Sequence, residues 1–361
     1  MLGTSPVRPV EAPPLPQPRG PLSAAVIDAL RRGPTLLPPV DGADPHGDDL
    51  QLALYCLYEM HYRGFGGVPD DREWDPALVA LRVAAENAFL DALRAEADPS
   101  DDVDAEIGAL LVEPVEGTGP SWHLAKDGER WQVREYVAQR SLYHLKEADP
   151  QAWVIARLDG PAKAALVTVE HDEYGAGNPD RMHARLFADM MRALDLDDSY
   201  GAYLDAAPAE ALAEVNFMSL CGLRRALRGA LVGQFATVEL TSSPGSDRLV
   251  KAMRRLDLPE AAVEFYAEHV EADAVHEQLV RRGVIAPLLA AEPALAADVV
   301  FGIRASGLLA DRFGERLLRH WAEHRSSLRH PLPDAPQPDA TQPDATQPDA
   351  AQPDATQPAL A

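Results

Sequence analysis

Cysteine is nearly missing: Cys56 and Cys221 are the only two in 361 residues. Two thiols build neither a disulfide framework nor a Cys-based zinc site. Cations are also in deficit, with 33 Lys and Arg against 57 Asp and Glu and a formal charge of −24. Tracking nucleic-acid phosphates or lying on anionic lipid needs clustered Lys and Arg, so neither partner is expected. Uninterrupted apolar runs are lacking as well. The most apolar late stretch, residues 284–303, is broken by Glu292, Pro293 and Asp298, which argues against a membrane span. The N-terminus shows no basic segment leading into an apolar one, the mark of a secretory leader. A soluble, cytoplasmic protein is the expectation. Aromatics are only 6%, yet hydrophobic residues make up 46%, enough to bury a core in one large domain or two ordinary ones.

What is present is unevenly placed. Of 32 prolines, 11 fall in residues 1–48 and eight in 331–361. The last segment is a degenerate pentapeptide array, QPDATQPDATQPDAAQPDATQP. Proline at every fifth position forbids helix, and Ala, Thr, Gln and Asp offer little to pack, so 331–361 reads as a disordered acidic tail. Residues 1–48 read as Pro-rich and mostly disordered, with a short helix over Leu22–Arg32. Residues 49–330 are dominated by Ala, Leu, Arg and Glu, with prolines at helix starts in DPALVALRV, NPDRMHARLF and LPEAAVEFY. Gly283 is placed to end the last of these helices. The irregular stretch GPSWHLAKDGERW, inside Gly117–Trp131, reads as a small hairpin or ordered loop. The fold class that follows is all-α, with an N-terminal helical region over 49–116 and a main helical domain over 117–330.

Chemistry concentrates late in the chain. In EHVEADAVHEQ, His269, Asp273 and His276 stand at i, i+4 and i+7, within about a 60° arc of one helix. Two imidazoles and a carboxylate on one stripe suit a borderline transition metal, although a solvated face carries the same residues. Glu239 follows Leu231, Phe235 and Val238 on an apolar stripe, where a carboxylate is costly unless paired or metal-bound. Upstream, VTVEHDEYGAGNPDRMHARLF supplies Glu173 and His183 around glycines and a proline that must distort a helix. Taken alone, His183 reads as a core histidine and Glu147, in QRSLYHLKEADPQAW, as a helix-end glutamate. Glu170 reads as a helix-surface residue, His171 and Asp172 as solvent-facing, Tyr143 and Trp153 as pocket-lining or packing. Arg140 suits either a substrate carboxylate or a structural ion pair, and Asn216 stands out as an amide in an apolar run that could support the site. The stripe of Leu54, Tyr55, Tyr58 and Tyr62 reads as core or as a homodimer interface. Glu59 and His61, roughly 200° apart on that helix, cannot share one metal and read as a surface or satisfied polar pair.

The ordered set Glu147, Glu173, His183, Glu239 and His269-x-x-x-Asp273-x-x-His276 resembles the haem-oxygenase-like diiron oxidases and oxygenases, the iron-containing redox enzymes. It is most similar to their N-oxygenase branch, where an extra glutamate joins three histidines and three carboxylates. The resemblance covers about residues 130–330. It implies a haem-oxygenase-like helical bundle holding two irons per chain, Fe(II) in the reduced state, with no haem, and O2 as cosubstrate. It also implies all seven residues as ligands. Glu147, His183 and Glu239 would surround one iron and His269, Asp273 and His276 the other, with Glu239 or Glu147 bridging and Glu173 supplementary. Electrons would come from an external donor or from the small organic substrate. Two other readings stand beside this one: a metal-binding or scaffold protein without catalysis, and a thiaminase-like hydrolase, which needs a cysteine in a polar setting.

Overall fold

Alanine- and leucine-rich segments punctuated by proline fold here into a stack of helices, as a computed structural model that describes residues 11–33 and 36–336, without the side chains of 271–275. In chain order these are α1 (Pro21–Arg32), α2 (Asp48–Glu59), α3 (Pro76–Glu96), α4 (Val103–Leu110), α5 (Pro120–Lys126), α6 (Arg130–His144) and α7 (Asp149–Ile155). Then come α8 (Gly160–Glu173), α9 (His183–Ala193), α10 (Ala209–Leu223), α11 (Arg228–Arg255), α12 (Glu260–Gln278), α13 (Ala286–Ala291) and α14 (Ala296–Ala322). Among the described residues every regular element is helical, so the all-α expectation holds.

The starts obey local chemistry. Asp75 caps α3, its Oδ1 accepting from the Ala77 amide at 2.9 Å, and Pro76 occupies the first turn, where a missing N–H costs nothing. Pro259 immediately precedes α12. The segment from Gly117 to Trp131 forms neither hairpin nor loop alone: Pro120 opens α5, whose helix packs against α11. Pro150 does not close the helix before it. It opens α7, so Glu147 lies in the turn between α6 and α7. Pro179 likewise starts a short 3-10 turn, and α9 begins at His183.

α11 is the axis of the fold, packed along α12 on one side and α14 on the other. The crossing of α11 and α14 is close because both partners present glycine. A Cβ on Gly233 would overlap the Val299 carbonyl oxygen, and one on Gly302 would overlap that of Ala230. Replacing Gly302 with Ala should therefore force the helices apart and lower stability by about 1–3 kcal/mol in urea denaturation, with metal uptake unaffected at saturation. With the turn before it, α14 has the length and apolar composition of a helix able to cross a bilayer. Here it lies along α11 with Val299, Ile303, Leu309, Phe313 and Leu317 buried, while Arg304 and Arg312 pair with Glu106 and Glu96.

Two further expectations change. Gly283 does not end α12, because the chain continues through a π-helical stretch, Leu279–Ile285, into α13. The glycine serves close packing: a Cβ there would stand 2.7 Å from Ala165 Cβ on α8. In the Pro-rich start, residues 11–33 and 36–48 are described. Pro13 and Pro16 are buried, the Pro13 carbonyl accepts from Gly66 N at 2.8 Å, and α1 packs on α2. Residues 1–10 and the repeat tail from 337 lie outside the described residues. The two ends of the described chain converge on one place. Arg19 reaches Asp48 at 3.0 Å and the Leu204 carbonyl at 2.7 Å; Arg329 pairs with the same Asp48 and its amide donates to Ala206 O at 2.8 Å.

The tyrosine stripe is core. Tyr55 and Tyr58 are buried among α2's neighbours. Glu59 and His61 are buried and paired, Glu59 with Lys146 and His61 with Glu73 at 2.5 Å. Asn216 holds α10 to α2, donating to the Gln51 carbonyl and side-chain oxygens, each at 2.8 Å.

Candidate metal centre

Five elements deliver the acidic and imidazole side chains to one depth of the bundle. The turn after α6 presents Glu147, the last residue of α8 is Glu173, the first of α9 is His183, and α11 and α12 bring Glu239, His269 and His276. All six are buried. They form two clusters with one member in common. Glu147, Glu173, His183 and His269 each place one ligand atom so that all lie within 4.8 Å of one another, and so do Glu173, Glu239 and His276.

The grouping expected from sequence is therefore corrected. His269 falls with Glu147 and His183, Glu239 falls with His276, and Glu173 is the shared carboxylate. The reason is axial rise: positions seven apart on a helix share a face but stand about 10 Å apart along it. One ion with bonds near 2 Å cannot reach both imidazoles. The Asp273 side chain lies outside the described residues.

Local backbone chemistry sets the Glu173–His183 pair. Beyond Glu173 the chain turns through Gly175, Ala176 and Gly177 with φ of +75°, +51° and +86°, the distortion that YGAGNP implied. A Cβ on Gly175 would stand 2.6 Å from Met182 N, so glycine is required for both conformation and space. The turn brings His183 Nδ1 to 2.6 Å from Glu173 Oε2. The contact is an ion pair, and that nitrogen has no hydrogen-bond partner by geometry among the described residues. Gly175→Ala should displace His183 and weaken binding of one metal ion about 10- to 100-fold, readable by anaerobic Co(II) titration, with helical circular dichroism unchanged.

The donor set fits a metal. Glu147 Oε2 and His183 Nδ1 are buried polar atoms without a hydrogen-bond partner among the described residues, an arrangement native cores avoid. Each of the other two imidazoles has one nitrogen held and the other turned to the cluster. His269 Nδ1 donates to the Phe265 carbonyl at 2.8 Å, so that Nε2 faces Glu147 Oε1 at 3.7 Å. His276 Nε2 meets Asp172 Oδ2 at 3.3 Å, so that Nδ1 stands 3.1 Å from Glu239 and 3.6 Å from Glu173. Orientation of ligand imidazoles by a carbonyl or carboxylate on the far nitrogen is the usual support of metal sites. Mixed carboxylate and imidazole donors suit Fe(II), Mn(II) or Zn(II), and leave out soft, thiolate-seeking ions.

The electrostatics report crowding of negative charge. Burial opposes ionisation of Glu147, but His144 and His269 outweigh it and hold the carboxyl well below its ordinary range. Burial lowers His183, yet the Glu173 carboxylate wins and holds the imidazole above its ordinary value. Glu170 has no such support: burial, then Glu173, Glu239 and Asp149, push it up to about 9.

Several surroundings differ from expectation. Glu170 is buried, 2% exposed, not on the helix surface; its place one turn before Glu173 is the signal that pointed there. Asp172 is half exposed but touches His276, whereas His171 faces solvent. Tyr143 lines the narrow space beside the clusters with Phe235, Val238 and Ser242, a space of about 10 Å³, room for one water. Trp153 packs against Tyr62 and His61 instead. Arg140 pairs with Glu214 at 2.5 Å and lies over the Phe313 ring, so it is structural. Sequence reasoning missed His144, which is stacked on Phe187 and hydrogen-bonded through Nδ1 to Glu147 Oε1 at 2.8 Å.

Residues 134–311, which hold all six cluster residues, match the sequence model of the iron-containing redox enzymes. That segment belongs to the family. The haem-oxygenase-like fold implied by the residue pattern is all-helical, as found. No curated protein matches the chain. The matching segment carries the buried carboxylate–imidazole cluster, which could hold a metal ion.

Proposed function

We propose that the chain is a nonhaem diiron oxidoreductase that uses O2 on a small organic substrate, with amines and amino-acid derivatives the favoured class. The observation that carries this reading is the pair of clusters sharing Glu173. Glu147, His183 and His269 would hold one iron and Glu239 and His276 the other, with Glu173 between them. The chemistry that such a pair supplies when bound is the reduction of O2 and its use in oxidising an organic molecule, with an external donor completing the electron balance.

The chain's own residues do the rest. The Phe265 carbonyl keeps the proton of His269 on Nδ1, so Nε2 presents its lone pair towards the cluster. Asp172 meets the opposite nitrogen of His276, so Nδ1 is the one that faces Glu239 and Glu173. His144 fixes one oxygen of Glu147, so its other oxygen is the one available to a cation. Tyr143, Phe235 and Val238 restrict water beside the clusters, which strengthens charge interactions there and keeps bulk solvent from the reacting atoms. The hydrolase reading loses support: Cys56 and Cys221 are fully buried, and burial pushes both thiols up, away from the thiolate a nucleophile needs.

Anaerobic Fe(II) titration tests the proposal. Two irons per chain, followed by a transient visible absorption when O2 is admitted, is the expected result. No iron uptake, or uptake that His269→Ala leaves untouched, would sink it.

A further inference from the structure

Glu147 is offered to its cluster by a short turn whose backbone is unfavourable on its own. Ala148, the next residue, has φ +73°, a left-handed conformation that a residue with a Cβ adopts only when its surroundings impose it. The imposing contacts come from far away in sequence. Lys146, the residue before Glu147, is buried with its Nζ 2.8 Å from Glu59 Oε2 at the end of α2. Tyr200 OH donates to the same carboxylate, at 2.7 and 2.8 Å from its two oxygens. The Lys146 ammonium also lies 4.2 Å over the Tyr62 ring and 4.8 Å from that of Tyr55. One residue further back, the Leu145 carbonyl accepts from Arg63 Nη2 at 2.9 Å, and the Arg63 guanidinium stacks 4.1 Å over Tyr200. The two residues before Glu147 are thus each gripped by the end of α2 and the residues just after it.

We propose that Glu59 and Arg63 are positioning residues for the Glu147 cluster, so that α2, which lies outside the segment matching the family, is a working part of the metal centre. This rests on the diiron reading above. A buried ion pair is a costly way to fill a core, since apolar residues of the same volume hold a fold at least as well. What the pair adds is direction. The ammonium is hydrogen-bonded to the Glu59 carboxylate, and that bond ties the turn to the end of α2. That tie sets where the Glu147 carboxylate stands relative to His183 and His269. Arg63 adds a second hold on the same turn, from an exposed residue whose guanidinium covers the Tyr200 ring.

The test is anaerobic Co(II) titration of the full chain, followed by the visible bands of bound Co(II). Wild type should take up two ions. Arg63→Met, and separately the double variant Glu59→Gln/Lys146→Met, should keep one ion at wild-type affinity and bind the other at least tenfold more weakly with altered bands. Helical circular dichroism should stay as in wild type, and Arg63→Lys should restore the lost affinity. Placed in a Glu147→Ala background, Arg63→Met should change nothing further, because the ligand it positions is already gone. Two ions at wild-type affinity in Arg63→Met overturn the inference, and this single exposed change decides even where the double variant does not fold. A wild-type chain that takes up fewer than two ions overturns the diiron reading and this inference with it, whereas two in every variant overturn this inference alone.

Discussion

Glu173→Ala should abolish uptake of both metal ions, while Glu147→Ala abolishes only one. Glu173 Oε2 stands 2.6 Å from His183 Nδ1 in one cluster, and its Oε1 stands 3.6 Å from His276 Nδ1 in the other. Removing it takes a ligand from each ion and leaves two sets of imidazoles facing one another without the anion between them. The loss should be at least about 100-fold in affinity per ion, or roughly 2.7 kcal/mol each. Glu147 belongs to one cluster only, so its loss should leave the Glu173–Glu239–His276 set competent. Metal content after anaerobic reconstitution and desalting distinguishes the outcomes. A Glu173→Ala chain that still retains one ion would mean that the carboxylate is not shared.

In the metal-free protein, Glu170→Met should raise stability at pH 7 by about 3 kcal/mol. The sign follows from proton counts. The Glu170 carboxyl is pushed up to about 9 from an ordinary 4.5, first by burial and then by Glu173, Glu239 and Asp149. Between those values the folded chain keeps a proton that the unfolded chain has released, so folding becomes less favourable as pH rises through the window. The penalty is absent below about 4.5, amounts to roughly 3 kcal/mol by pH 7 and is full above about 9. Methionine has a similar volume and nothing to ionise. Urea denaturation at pH 5, 7 and 9 should show wild-type stability falling faster with pH than that of the variant. Equal slopes would show that Glu170 is not the group responsible. Bound cations reverse the contribution of Glu173 and Glu239, so the comparison belongs to metal-free samples.

How much of this is legible in the sequence depends on which physics wrote it. Helix starts at Pro76 and after Pro259 are local, and they can be read directly. So can the distortion after Glu173, because glycine and proline act within a few residues. Helical periodicity places His269 and His276 on one face, but periodicity reports angle and not depth. That is why giving both to one ion fails and why the shared role of Glu173 is invisible in the sequence. Glu170, read as a surface residue, is buried, as its spacing from Glu173 on one helix side argues. The clamp of Lys146 by Glu59 joins residues 87 apart, and nothing local marks either one. Nor does composition announce the π-helical stretch of Leu279–Ile285, which carries the chain past the glycine expected to stop it.

Arg19 and Arg329 both hold Asp48, and the backbone near each also reaches the Leu204–Ala206 segment, so the described chain is a loop closed by everything except a peptide bond. Joining such neighbouring ends costs little chain entropy. The link that carries Val112 and Val115 is exposed and packs on little, so a break there would leave the core whole. Where the described chain starts is thus separable from what it builds. The same helices, strung in a rotated order, would meet around the same six side chains.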